Sequence, residues 1–355
     1  MNSVQPEETT REAPTRPVRP SRIRSFAWFI LAVFYYIFAV VVARIAAHGL
    51  AFGEWFYFAD RAILLFLLII GFAAMGFIGQ RQRHPVKDMG LWIRPGGWGE
   101  FALGSAIGWA GVTVCALMIL IFGGMVVVYY TGARQYEIEL PLDIAILLVA
   151  SLGEEVAFRG YPFQRLIEAT NAPIATLLLS AAYAIVHFSN PAASLDSTLV
   201  TMFAGWVFSI AYLRTRALWV GWGLHFGWNA SMAVLFGLPL SGVTRFSPVI
   251  SSTAIGPTWL TGFDYGPEGS VVAIVVVLAL VFAVTYTTRD LDYEYGQPVI
   301  VAGGIPVDID DVARRQHEAA MGPAQPAPPQ IVQIEGVQPQ ENPPQQADEP
   351  GEKRD

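Results

Sequence analysis

The sequence predicts an all-α protein, a polytopic membrane helix bundle of about eight transmembrane helices. Three observations carry this. Only 14% of the 355 residues are charged, against roughly 25% in an ordinary soluble domain. Hydrophobic residues make up 54% of the chain, and they fall into blocks of membrane-spanning length separated by short segments that hold most of the charge. The formal net charge of -7 implies no nucleic-acid partner, because much of the acidity lies in the two polar ends. The single Cys115 sits inside an apolar block and has no companion for an intrachain disulfide or a thiolate metal site.

Residues 1–24 are polar and rich in Arg and Pro, and read as a cytosolic tail. The first apolar run, Phe26 to Ala47, exceeds the roughly 7 to 15 residues of a signal-peptide core and reads as an uncleaved span. Further spans are expected at Ala62 to Gly79, Phe101 to Tyr129, Leu142 to Ile167, Pro173 to Phe188, Leu199 to Leu213, Leu218 to Phe236 and Val271 to Tyr286. In the fourth, only Ile144 to Ala150 is continuously apolar, so the charged cluster that follows has to face protein or water. The fifth is short and is expected to continue past Asn190. Together these define a bundle over 25–286, with a core over about 142–236. Residues 287–355, dominated towards the end by Pro, Gln, Glu and Ala, are expected to form a mostly disordered cytosolic tail in which Asp308 to Ala320 can make a short helix.

Eight spans place both termini on one side, and the cations name that side. Arg81, Arg83, Lys87 and Arg94, then Arg165, then Arg214 and Arg216, then Arg289 share a side with the Arg-rich amino end, whereas the opposite connections hold Arg61, Arg134 and Arg245. By the positive-inside rule the termini are cytosolic and the protein is a multi-pass integral membrane protein.

An ionisable side chain near the bilayer midplane costs roughly 2.5 to 3.5 kcal/mol, so each one inside a span is a candidate for function. Glu154, Glu155 and Arg159 lie in the fourth block, His187 in the fifth, His225 and Asn229 in the seventh. At i,i+4 Glu155 and Arg159 can pair, while Glu154 points about 100° away and needs another partner. That division makes Glu154 the candidate general base. His225 and Asn229, again at i,i+4, can aim two donors at one small volume, an oxyanion-stabilising arrangement, and His187 can share the nucleophilic water with Glu154. A lone intramembrane His or Asn is more often an interhelical hydrogen bond, so the combination carries the reading. The spacings Gly104-x-x-x-Gly108 and Gly223-x-x-x-Gly227 are packing signals, the second flanking His225.

These residues resemble the motifs of the C-a-a-X protease and bacteriocin-processing family of intramembrane endopeptidases. Glu154-Glu155-x-x-x-Arg159-Gly160 looks like its first motif, Ser180-x-x-Tyr183-x-x-x-His187 its second, and Leu218-Trp219 leading to His225-x-x-x-Asn229 its last. The likeness covers residues 150 to 230. Tyr183 stands where the family usually has Phe; the ring is kept, but the hydroxyl needs a partner. The resemblance implies that Glu154 with His187 activates water, that His225 with Asn229 stabilises the oxyanion, and that Glu155 and Arg159 support the site. It implies as partners a peptide or membrane-associated protein substrate, prenylated in some members, within a lipid bilayer. No cofactor is favoured; the zinc-dependent alternative would use Glu154, His187 and His225, without the H-E-x-x-H helix of common zinc peptidases. Two further readings are a non-catalytic scaffold or immunity protein and a proton-coupled transporter, the latter weakened by the lack of visible inverted repeats.

Overall fold

The computed structural model describes residues 21–129 and 136–288, together with 299–300 and 306–307. Most of the two polar tails, the expected helix at Asp308 to Ala320, Arg134 and Arg289 lie outside these residues. Eleven α-helices are described: α1 (Arg22–Leu50), α2 (Glu54–Gln80), α3 (Pro85–Asp88), α4 (Gly97–Ile121), α5 (Tyr136–Arg159), α6 (Tyr161–Ala169), α7 (Ala172–His187), α8 (Leu195–Thr215), α9 (Trp219–Ala230), α10 (Thr258–Thr261) and α11 (Val271–Thr287). A helix occupies each of the eight expected positions, and α1, α2, α4 and α8 are by themselves long and apolar enough to cross a membrane. The chain is an all-α membrane protein.

Three boundaries differ from expectation, each for a local reason. The block expected to run from Phe101 to Tyr129 stops as helix at Ile121, because Gly123 turns the chain at φ 72°. The Val-rich run after it becomes β1 (Met125–Tyr129), which pairs antiparallel with β2 (Ile250–Ala254), Met125 opposite Ala254. The block from Leu142 to Ile167 is two helices, broken after Arg159: Pro162 lacks an N–H and is accommodated in the first turn of α6 instead of inside a longer helix. The fifth block does not continue past Asn190. It ends at His187 in a turn, with Phe188 N–H on the Ala184 carbonyl, and α8 restarts at a capping box made by Ser194 and Ser197. A second two-stranded ribbon, β3 (Val299–Ile300) with β4 (Pro306–Val307), lies within the polar tail.

The bundle is held by small residues on the inside, as expected where lipid outside is as apolar as the core. Helix α1 buries Ala32, Ala39, Ala43 and Ala47 and leaves Phe34 and Phe38 exposed. Helices α4 and α9 meet backbone to backbone through both glycine pairs at once. A Cβ on Gly104 would strike the Val220 carbonyl and one on Gly108 the Leu224 carbonyl; reciprocally, Gly223 faces the Phe101 carbonyl and Gly227 that of Ser105.

The two ends of the bundle are knit differently. At the end holding the start of α1 and the finish of α11, Arg24 donates to the Gly79 carbonyl (2.6 Å), Leu218 N–H to that of Gly90 (3.0 Å) and Arg214 to Thr288 Oγ1 (2.7 Å). At the other end Arg245 pairs with Glu54 (2.7 Å), Ser247 N–H donates to Asp143 (2.8 Å), and the β1–β2 ribbon closes the edge.

Candidate active site

Three helices deliver the polar cluster. Glu154 and Glu155 sit near the carboxyl end of α5, Tyr183 and His187 in the last turns of α7, and His225 and Asn229 on α9. Behind them α8 presents Gly205 and Phe208. The close α4–α9 contact flanks His225 through Gly223 and Gly227, which face the Phe101 and Ser105 carbonyls.

The two adjacent carboxylates have different surroundings. Glu155, 1% exposed, accepts from Arg159 Nη1 at 3.4 Å and lies 3.0 Å from His225 Nδ1. Arg159, also 1% exposed, donates through Nη2 to the Gly205 carbonyl at 3.0 Å, and its guanidinium lies 4.7 Å from the Tyr183 ring centre and 5.0 Å from that of Phe208. Such desolvated ring faces stabilise a cation by their quadrupole. Glu154 points away from this pair, as the helical spacing demands, and keeps 27% of its side chain exposed in a cavity. The Tyr183 hydroxyl donates to Glu154 Oε2 at 3.0 Å. His187 Nε2 and His225 Nε2 each lie 3.7 Å from that same oxygen.

Hydrogen-bond partners settle which ring nitrogens carry protons. His187 Nδ1 lies 2.9 Å from the Tyr183 backbone carbonyl, which only accepts, so Nδ1 donates and Nε2 of the neutral ring is a lone pair facing Glu154. His225 Nδ1 donates to the Glu155 carboxylate, which directs its Nε2 at Glu154 and at the Tyr183 hydroxyl, 3.4 Å away. The His225 ring is stacked on Phe208, with centroids 4.8 Å apart.

The cavity has a volume of about 520 Å³ and includes Glu154, His187, His225 and Asn229 in its wall. The structure therefore gathers all four residues singled out as catalytic, with Glu155 and Arg159 directly behind them. Sequence reading treated Tyr183 as a packing ring whose hydroxyl needs a partner, without naming it; that partner is Glu154. It also did not find Arg61, Arg245 and Glu268 in the wall. Glu268 accepts from Trp228 Nε1 (2.9 Å) and Ser241 (2.6 Å), tying α9 to the segment before α11; its only sequence signal was an acid just outside an apolar block.

Among the described residues no group of three or more His, Cys, Asp and Glu is arranged to hold a metal ion. Glu154, His187 and His225 converge without meeting that arrangement, and the Tyr183 hydroxyl donates to the oxygen they share.

Compared with known families, residues 137–231 match the Rce1-like family, described as type II CAAX prenyl endopeptidase. No curated protein matches, and no solved structure matches. The matched segment begins at the start of α5, ends just after Asn229, and contains every residue of the cluster. Through this segment the chain is similar to the Rce1-like type II CAAX prenyl endopeptidases.

Proposed function

We propose that the protein is an intramembrane endopeptidase that hydrolyses a peptide bond with a water activated by Glu154 and His187 and an oxyanion site formed by His225 and Asn229. The observation that carries this is the placement of one Glu154 oxygen 3.7 Å from two imidazole Nε2 atoms inside a cavity. That spacing is too long for a direct hydrogen bond and short enough for one water to touch carboxylate and ring together.

The two imidazoles have different neighbours, which supports different roles. His187 is oriented by a neutral carbonyl and offers a lone pair at Nε2, so with Glu154 it takes the proton as the water oxygen attacks the carbonyl carbon. His225 is oriented by the Glu155 carboxylate, the kind of partner that compensates positive charge forming on a ring during turnover. With a proton on Nε2, His225 donates to the developing oxyanion together with the Asn229 carboxamide one turn along α9. The proton held by Glu154 then passes to the leaving amine as the peptide bond breaks. Arg159 keeps Glu155 charged and in place.

The substrate is a peptide or membrane-associated protein, and the reaction is favoured as metal-free. The deciding experiment compares the membrane proteomes of cells carrying the native protein and Glu154→Ala, expressed to equal level. An uncut polypeptide accumulating only in the variant supports the peptidase reading; identical proteomes refute it and favour the non-catalytic scaffold.

A further inference from the structure

The cavity that holds Glu154 extends to one end of the bundle only. Its rim takes Ser189 and Asn190 from the α7–α8 connection, Ser241 and Arg245 from the segment between α9 and β2, and Tyr57 and Arg61 from the first turns of α2. None of the described residues in the α2–α4, α6–α7 or α8–α9 connections, all at the opposite end, lines it.

At that opposite end the way is filled. Arg159 sits among the rings of Phe158, Tyr183 and Phe208. Beyond it, Gln164 of α6 donates to the Tyr212 hydroxyl of α8 (2.7 Å) and to the Asp88 carbonyl, and Tyr161 donates to Gln80 (2.9 Å). The filled end is also the one that carries the start of α1 and the finish of α11, and it bears Arg81, Arg83, Lys87, Arg165, Arg214 and Arg216. The rim end bears Glu54, Asp60, Asp143, Asp196, Asp264 and Glu268, with Arg61 and Arg245 among few cations. A bias of this kind sets orientation, with the cation-rich connections retained in the cytosol.

We infer that substrate and water reach Glu154 from the membrane face opposite the termini, so that the polypeptide cut here is one displayed on the exported side of the membrane. The inference rests on the peptidase reading for its substrate and on the bundle alone for its direction. A cytosolic chain would meet the arginine-bearing floor, with the polar cluster behind it.

Access is measured without a substrate, in a Cys115→Ala background, since the native thiol is fully buried. Single cysteines replace Thr201 inside the cavity, exposed Ser189 at the rim, or exposed Arg83 at the filled end. Each is treated with membrane-impermeant sulfonatoethyl methanethiosulfonate in right-side-out and in inverted vesicles. The expected result is reaction of Thr201→Cys and Ser189→Cys from the outside and of Arg83→Cys from the inside, each lost in the other orientation until detergent is added. Reaction of Thr201→Cys from the side that labels Arg83→Cys overturns the inference. So does failure of both Thr201→Cys and Ser189→Cys to react from the outside. Because labelling reports access and not hydrolysis, such a result leaves the peptidase reading standing, whereas an unchanged proteome in Glu154→Ala removes that reading and leaves the direction of access intact.

Discussion

Removing the Arg159 side chain would leave Glu155 as a carboxylate 1% exposed, with only the His225 ring beside it. Breaking a buried pair by deleting one partner costs about 3 to 5 kcal/mol, because the remaining charge is neither solvated nor compensated. The bond to the Gly205 carbonyl and the contacts with three rings disappear at the same time, so Arg159→Ala belongs near the upper end of that range. Removing both charges together, as Glu155→Gln with Arg159→Met, is different: a neutral amide and an apolar stem of similar length leave no stranded ion, and such exchanges are often close to neutral. The double variant should therefore be more stable than Arg159→Ala by about 2 kcal/mol or more, while cleavage is lost because His225 has lost its orienting carboxylate. The measurement is reversible unfolding in mixed detergent micelles with helicity as the signal, with cleavage assayed on the same preparations. A cost under about 1 kcal/mol for Arg159→Ala, or a double variant as unstable as the single one, would refute the reasoning that this cation neutralises a buried acid.

Tyr183→Phe keeps the ring against Arg159 and removes only the donor to Glu154; cleavage should fall by about tenfold, the value of a charge-assisted hydrogen bond of about 1.5 kcal/mol, with unfolding unchanged. Gly223→Ala places a methyl group against the Phe101 backbone, so α4 and α9 must separate; stability should drop by about 1 to 3 kcal/mol or more and cleavage should fall with it, checked by unfolding and activity together. Activity should persist in protein shown by elemental analysis to be metal-free after strong chelation; loss that zinc restores would reinstate the metal-dependent alternative.

The six candidate residues stood out because polar and ionisable groups are costly in a bilayer and are conspicuous against an apolar background. Helical spacing alone separated Glu154 from the Glu155–Arg159 pair, and the side chains diverge as that spacing requires. Boundaries were harder. In a membrane the outer and inner faces of a helix are both apolar, so an apolar run such as Met125–Tyr129 carries no amphipathic period to separate strand from helix. Only Gly123, Gly124 and the three valines that follow marked the change. The break between α5 and α6 was signalled by Gly160 and Pro162, which apolar length alone does not weigh. The role of the Tyr183 hydroxyl had no sequence signature, because its partner lies 29 positions away on another helix.

Where α4 and α9 touch, main chain meets main chain, and this has a bearing on how the protein tolerates change. The position of His225 is dictated by carbonyls that every sequence possesses, so drift among surrounding leucines and valines leaves the imidazole where it is. Substitution is confined far more tightly at Gly104, Gly108, Gly223 and Gly227, four positions without any reactive group. A loss of activity arising there would come from a few atoms of unwanted bulk beside His225, felt as misalignment between an acid and a ring.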